Sequence, residues 1–137
     1  MGEASLPAGY TPNLDNGKLL YHIGGCIGCH QPGPELANVE KTVPAGGAPL
    51  KTPIGTLYPP NLTPDKDTGL GNWTDLQFVN AMQRGISPDG RHYIPAFPYT
   101  SYAAMPVNDV RDIRAYLATL QPVSSPHRAQ GVAAEAI

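Results

Sequence analysis

Cys26 and Cys29 are the two cysteines of this 137-residue chain, and His30 follows the second directly. Thiol, thiol and imidazole within five residues invite several chemistries. A disulfide closing so short a loop would restrict the unfolded chain little. A thioredoxin-like redox pair needs alternating strands and helices around it, and no such alternation is read here. A zinc site needs about four ligands. There is no third cysteine, and His22, His92 and His127 are scattered. The remaining reading is Cys26-Ile27-Gly28-Cys29-His30 as C-x-x-C-H, the attachment signature of c-type haem. Two thiols at this spacing can form thioethers to two neighbouring vinyl groups, and the next imidazole then reaches the iron as proximal ligand. Gly24, Gly25 and Gly28 let the backbone turn close to a porphyrin face, and Pro32 restricts the loop after the ligand.

Composition narrows the function classes. The chain has 16 Pro and 15 Gly against 2 Phe and 1 Trp. A single loop-rich domain with a thin core is expected, one that a buried cofactor would stabilise because it binds only the folded state. Net charge is −2, and the nine Lys and Arg form no basic patch, so nucleic acid is not an expected partner. No apolar run approaches the ~20 residues of a membrane span. Met1 to Tyr10 show no basic segment followed by an apolar one, so no secretion signal is read there.

The elements that must position the motif are mostly helical. Residues 1–12 read as an arm, 13–123 as the domain and 124–137 as a mobile or peripheral tail. A first helix is expected over 13–25, capped by Asn13 or Asp15, with Leu19, Leu20 and Ile23 as its apolar side and the glycine pair at its end. Residues 31–72 hold eight Pro and six Gly and read as a long loop, with a weak hairpin signal in the stretch from Val43 to Tyr58, where Ala45-Gly46-Gly47-Ala48 stands between short apolar pieces. Thr74-Asp75-Leu76-Gln77 is a capping box opening a helix that should stop at Gly85. Ser101 to Ala104 reads as one helical turn. Val110, Ile113, Leu117 and Leu120 recur at helical spacing in a last helix ending before Pro122.

Beyond the C-x-x-C-H motif, the segments Pro60-Asn61-Leu62-Thr63-Pro64-Asp65, Gly69-Leu70-Gly71-Asn72-Trp73-Thr74-Asp75, Pro95-Ala96-Phe97-Pro98-Tyr99 and Ala115-Tyr116-Leu117 carry a resemblance. From about Gly17 to Val123 the chain resembles the monohaem class I cytochromes c, and among them the small cytochrome subunits of periplasmic sulfite, alcohol and gluconate dehydrogenases. The resemblance implies an all-α fold, the class I cytochrome c fold of a few helices around one covalent haem c, here with a long Pro/Gly-rich loop insertion. It also implies a close crossing of the first and last helices, with Gly17 and Leu20 meeting Ile113, Tyr116 and Leu117.

The same resemblance bears on the ligands. Similar chains carry Met where Phe97 stands, and Phe cannot bind iron. Met105, in a loop before the last helix and followed by Pro106, is then the expected sixth ligand, with iron held by His30 and Met105. Met82 reads as helix packing, and His92 is the rival. Trp73 is expected to donate its indole N–H to a haem propionate. Tyr58, Asn61, Arg91 and Tyr93 are further candidates for the haem edge, and Arg84 for a propionate, Asp75 or Asp89.

Electron transfer is the implied function, from a periplasmic dehydrogenase to a downstream cytochrome or oxidase. The competing reading is a haem enzyme or ligand sensor with an open distal site. The sequence has no nucleophile elbow, P-loop or dinucleotide-binding pattern, so the chain is not expected to be an enzyme on its own. The expected location is the periplasm, because bacteria attach haem c outside the cytoplasm.

Overall fold

The computed structural model describes residues 6, 8–53, 55–91, 102–125 and 131–132. Four α-helices are present: α1 (Leu14–Ile23), α2 (Cys26–Cys29), α3 (Asp75–Arg84) and α4 (Val107–Ala118). A 3-10 turn spans Pro34–Leu36, and three short strands, β1 (Leu50–Thr52), β2 (Gly55–Leu57) and β3 (Gly131–Val132), form one antiparallel sheet in the order β1-β2-β3. The chain divides into two compact units, one of residues 1–20 and 73–116, the other of residues 21–72 and 117–136.

In the first unit, Asn13 caps α1: its side-chain oxygen accepts the Asn16 N–H at 3.0 Å, satisfying a donor that the helix itself cannot. The capping box of α3 forms as its sequence dictates. Thr74 Oγ1 accepts from the Gln77 N–H at 3.1 Å, and Gln77 Oε1 accepts from the Thr74 N–H at 2.9 Å. Gly85, at φ 67°, ends the helix in the left-handed conformation, where glycine has no Cβ penalty. Phe78, Val79, Ala81 and Met82 of α3 are buried, as are Val110 and Ile113 of α4.

The α1–α4 approach in this unit depends on Gly17. A Cβ there would overlap the main-chain carbonyl of Asp112 and lie 3.1 Å from Cβ of Tyr116. Asp75, at the start of α3, bridges to α4 through Arg114 at 3.2 Å and Arg111 at 3.5 Å. Arg114 also donates to the Trp73 carbonyl. Arg84 is exposed, and the two acids expected to face it are engaged by Arg111, Arg114 and Arg91.

In the second unit, Tyr21, Ala45, Leu57, Leu70 and Leu117 are buried. β1 and β2 make a hairpin in which Leu50 faces Leu57 and Thr52 faces Gly55. β3 pairs with the other edge of β2, Gly55 opposite Val132.

Three expectations are corrected. The fold is not purely helical, because the Pro/Gly-rich segment supplies a hairpin and residues 131–132 of the tail add a strand to it. The hairpin signalled within Val43 to Tyr58 does form, but it turns after Thr52 rather than at Gly46-Gly47, which bond to residues on either side. The apolar side of α1 is also displaced. Leu19 and Ile23 are 56% and 71% exposed, while Gly17 and Tyr21, one turn apart, are the buried positions. The close helix approach selects the face bearing glycine, and that face excludes Leu19 and Ile23.

Candidate functional site

The proximal residues lie in the second unit. α1 ends and the chain turns at Gly25, which holds φ 70°. The motif then winds into the single turn of α2, closed by the Gly28 N–H to the Gly25 carbonyl at 2.9 Å and the His30 N–H to the Cys26 carbonyl at 3.1 Å. Residues three apart on a helix share a face, so Cys26 and Cys29 project on one side of this turn. No disulfide joins them. A Cβ on Gly28 would meet nothing within 4 Å. Burial pushes the Cys26 thiol up.

His30 Nδ1 lies 2.7 Å from the carbonyl oxygen of Pro60. A carbonyl only accepts, so Nδ1 carries the proton and Nε2 presents a bare lone pair. This is the arrangement that orients metal-ligating histidines and raises their basicity. Burial lowers the His30 pKa, against the opposing pull of the Pro60 carbonyl, and so favours the neutral ligating form. Among the described residues no three His, Cys, Asp or Glu side chains gather as a metal site. One imidazole with two flanking thiols suits a metal that arrives already held in a macrocycle.

Pro60 is fixed by its surroundings. Asn61 is buried, and its amide nitrogen donates to the Val123 carbonyl at 2.7 Å and to Thr68 Oγ1 at 3.2 Å. Its oxygen accepts the Thr63 N–H at 2.9 Å and the Thr63 hydroxyl at 2.7 Å. The amide of Asn61 is thus engaged within the protein, tying residues 61–68 to residues 123–125. Tyr58 is half-buried in the same unit.

Met105, Trp73 and Arg91 belong to the first unit. The Met105 N–H donates to the Tyr102 carbonyl at 3.0 Å, and the Met105 carbonyl accepts from Gln83 Nε2 at 2.6 Å. Trp73 is half-buried with its carbonyl held by Arg114. Arg91 is exposed and pairs with Asp89 at 3.0 Å. Tyr93, His92 and Phe97 lie outside the described residues. The sequence reading missed the roles of Pro60 and Gln83. Pro60 acts through a main-chain carbonyl, which no residue type signals, and Gln83 reaches 22 residues along the chain.

Two free thiols and an oriented imidazole at this spacing fit the haem attachment site of a c-type cytochrome. Residues 14–121 match the cytochrome c family, and the chain belongs to that family, whose members bind haem c covalently and transfer electrons. It is 40% identical over 128 residues to a protein of Cereibacter sphaeroides named diheme cytochrome c-type, covering 91% of this chain and 43% of that protein. It is 44% identical over 110 residues to a nicotinate dehydrogenase component of Pseudomonas putida, covering 80% of this chain and 9% of that component. It is 40% identical over 104 residues to the gluconate 2-dehydrogenase cytochrome c subunit of Pantoea cypripedii, covering 75% of this chain and 22% of that protein. The chain thus spans less than half the length of each of these relatives. Among the described residues no helix is long and apolar enough to cross a membrane.

Proposed function

We propose that this chain is a one-electron carrier with a single covalently attached haem c, held by Cys26 and Cys29 and ligated by His30 and Met105. The observation that carries the reading is the hydrogen bond from His30 Nδ1 to the Pro60 carbonyl at 2.7 Å, which frees Nε2 for iron. Bound haem would supply the Fe(III)/Fe(II) couple. Two cysteines limit the chain to one haem attached in this way.

The protein's own contribution is orientation and exclusion of water. α2 presents both thiols on one side, and Pro60 fixes the His30 ring. Gln83 and Tyr102 clamp the Met105 main chain on both sides of its side chain. Ligation by one histidine and one methionine sulfur would favour the reduced state and suit a carrier. Trp73, Tyr58 and Tyr93 are the side chains we assign to the haem carboxylates. Asn61 holds the Pro60 loop, and Arg91 stays on the surface with Asp89.

The donor we infer is a dehydrogenase and the acceptor a downstream cytochrome or oxidase, in the periplasm. Support comes from relatives named as cytochrome subunits of gluconate, fructose and alcohol dehydrogenases. The chain is a carrier and not itself an enzyme. Redox encounters of this kind are small and short-lived, and Ile27, Gly28 and Pro32 beside the ligand are expected at the contact.

Absorption spectra of the oxidised and reduced protein test this. Low-spin haem c bands with the weak far-red sulfur-to-iron band, lost in Met105→Ala, are the expected result. A high-spin spectrum that shifts with carbon monoxide or cyanide in the unmodified protein would replace the carrier with a ligand-binding haem protein.

A further inference from the structure

Pro59 and Pro60 have no main-chain N–H, so the segment that presents the His30 acceptor cannot be held by donors of its own at those positions. The carbonyls are the handles. The Gly47 N–H takes the Pro59 carbonyl at 2.9 Å, and His30 takes that of Pro60. The neighbouring Gly46 N–H donates to the His30 main-chain carbonyl at 2.9 Å, and the Gly46 carbonyl accepts from the Gly33 N–H at 3.0 Å. Pro44 accepts from the Leu62 N–H at 2.9 Å, and the Ala48 N–H reaches the Gln31 carbonyl at 3.3 Å. Residues 44–48 therefore bond on one side to the loop carrying His30 and on the other to the loop carrying Pro60. Pro44, Ala45 and Gly46 are buried between them.

Gly46 is a tight point of this brace, and the one that abuts Pro60. Its φ is +75°, and a Cβ on it would stand 2.5 Å from the Pro59 oxygen and from both the carbon and the oxygen of the Pro60 carbonyl. That last oxygen is the one that accepts the His30 ring proton. We propose that Gly46 is a positioning residue for the His30 ligand: its missing side chain sets the distance between the Pro60 carbonyl and His30 Nδ1, and with it the donor strength of the imidazole toward iron. The inference deepens the proposed function and rests on His30 being the iron ligand. A more basic imidazole stabilises Fe(III), so lengthening this hydrogen bond should favour Fe(II).

The test compares Gly46→Ala with Gly47→Ala in the full haem-loaded chain. Both positions hold left-handed backbone, at φ 75° and 94°, so both variants carry backbone strain. A Cβ at Gly47 meets nothing nearer than the Gly33 nitrogen at 3.6 Å, so that variant leaves Pro60 in place. Gly46→Ala is expected to raise the equilibrium constant for reduction at least about threefold over Gly47→Ala, about 28 mV for one electron. Exchange of the His30 Nδ1 proton should quicken in the same variant. Equal potentials and equal exchange in the two variants would overturn the proposal. Should Gly46→Ala yield no loaded protein, native-state hydrogen exchange of the unmodified protein decides. The Gly46 N–H and the His30 Nδ1 proton should then exchange together with one denaturant dependence; separate exchange overturns the brace. Absence of iron-shifted His30 ring resonances in the oxidised unmodified protein would instead be a failure of the ligand reading.

Discussion

The buried carboxylate of Asp112, on α4, accepts the main-chain N–H of Asn13, the residue that caps α1, at 2.8 Å. The same carboxylate takes the Tyr10 hydroxyl at 2.6 Å and the Asn16 amide at 2.8 Å. One side chain thus joins the N-terminal arm, the start of α1 and the last helix. Asp112→Ala would leave the Asn13 N–H and the Tyr10 hydroxyl without their acceptor, while the Asn16 amide keeps Asp109 at 3.0 Å, and should cost about 2–3 kcal/mol, read as a shift of the urea midpoint of the loaded protein.

The acid limb of stability should carry the same signature. Desolvation pushes Asp112 up, but the hydrogen bonds from Tyr10, Asn16 and Asn13 outweigh it and hold the carboxyl below its ordinary value. A folded pKa below the unfolded value of about 3.9 means stability that is complete above that pH and fades as pH falls through the folded value. Asp112→Asn should be less stable than the parent at pH 7, with the gap narrowing below about pH 4. A gap constant to about pH 2 would exclude Asp112 as an acid-sensitive contact.

Gly17→Ala tests the helix crossing. Alanine favours helix by up to about 1 kcal/mol over glycine, but its Cβ would overlap the Asp112 carbonyl. Forced overpacking costs about 1–3 kcal/mol, so the substitution should lower the thermal midpoint despite the better propensity. A raised midpoint would show that the two helices separate freely.

Gln83 fixes the main chain of Met105. With Met105 on the iron, Gln83→Ala should speed carbon monoxide binding to the ferrous protein, and Met105→Ala should speed it further. Stopped-flow rates check the order. No change in Gln83→Ala alongside a large change in Met105→Ala would mean that the ligand loop is held by Pro106 and Tyr102 alone.

Asn61→Ala removes a buried amide from four partners and should cost about 2–3 kcal/mol. Exchange at the Val123 and Ser125 amides, which donate to Thr63 and Thr68 hydroxyls at 3.1 and 3.0 Å, should rise with it. Unchanged exchange at both amides would show that residues 123–125 are held without Asn61.

Interactions contained within a few residues were legible in the chain. Thr74 and Gln77 are three apart and cap α3 whatever surrounds them, Gly85 stops that helix by its own φ, and Cys26, Cys29 and His30 define their chemistry by spacing. The Asn13 cap follows the same logic. The hydrophobic side of α1 did not, because helical spacing offers several faces and Gly17, the least apolar of the choices, decides which one is buried.

The sequence by itself determined the class of site: Cys26, Cys29 and His30 stand at the spacing of a haem c attachment signature, in a chain that belongs to the cytochrome c family. Tertiary structure alone decided what holds His30: a carbonyl of Pro60, a brace at Gly46 and an amide at Asn61 that locks the loop. It also decided that β3 joins a hairpin formed far earlier in the chain and that Asp112 ties the start of α1 to the last helix. These contacts use main-chain groups that every residue shares, or partners far along the chain. Their identity follows from where the folded backbone passes, which no local pattern encodes.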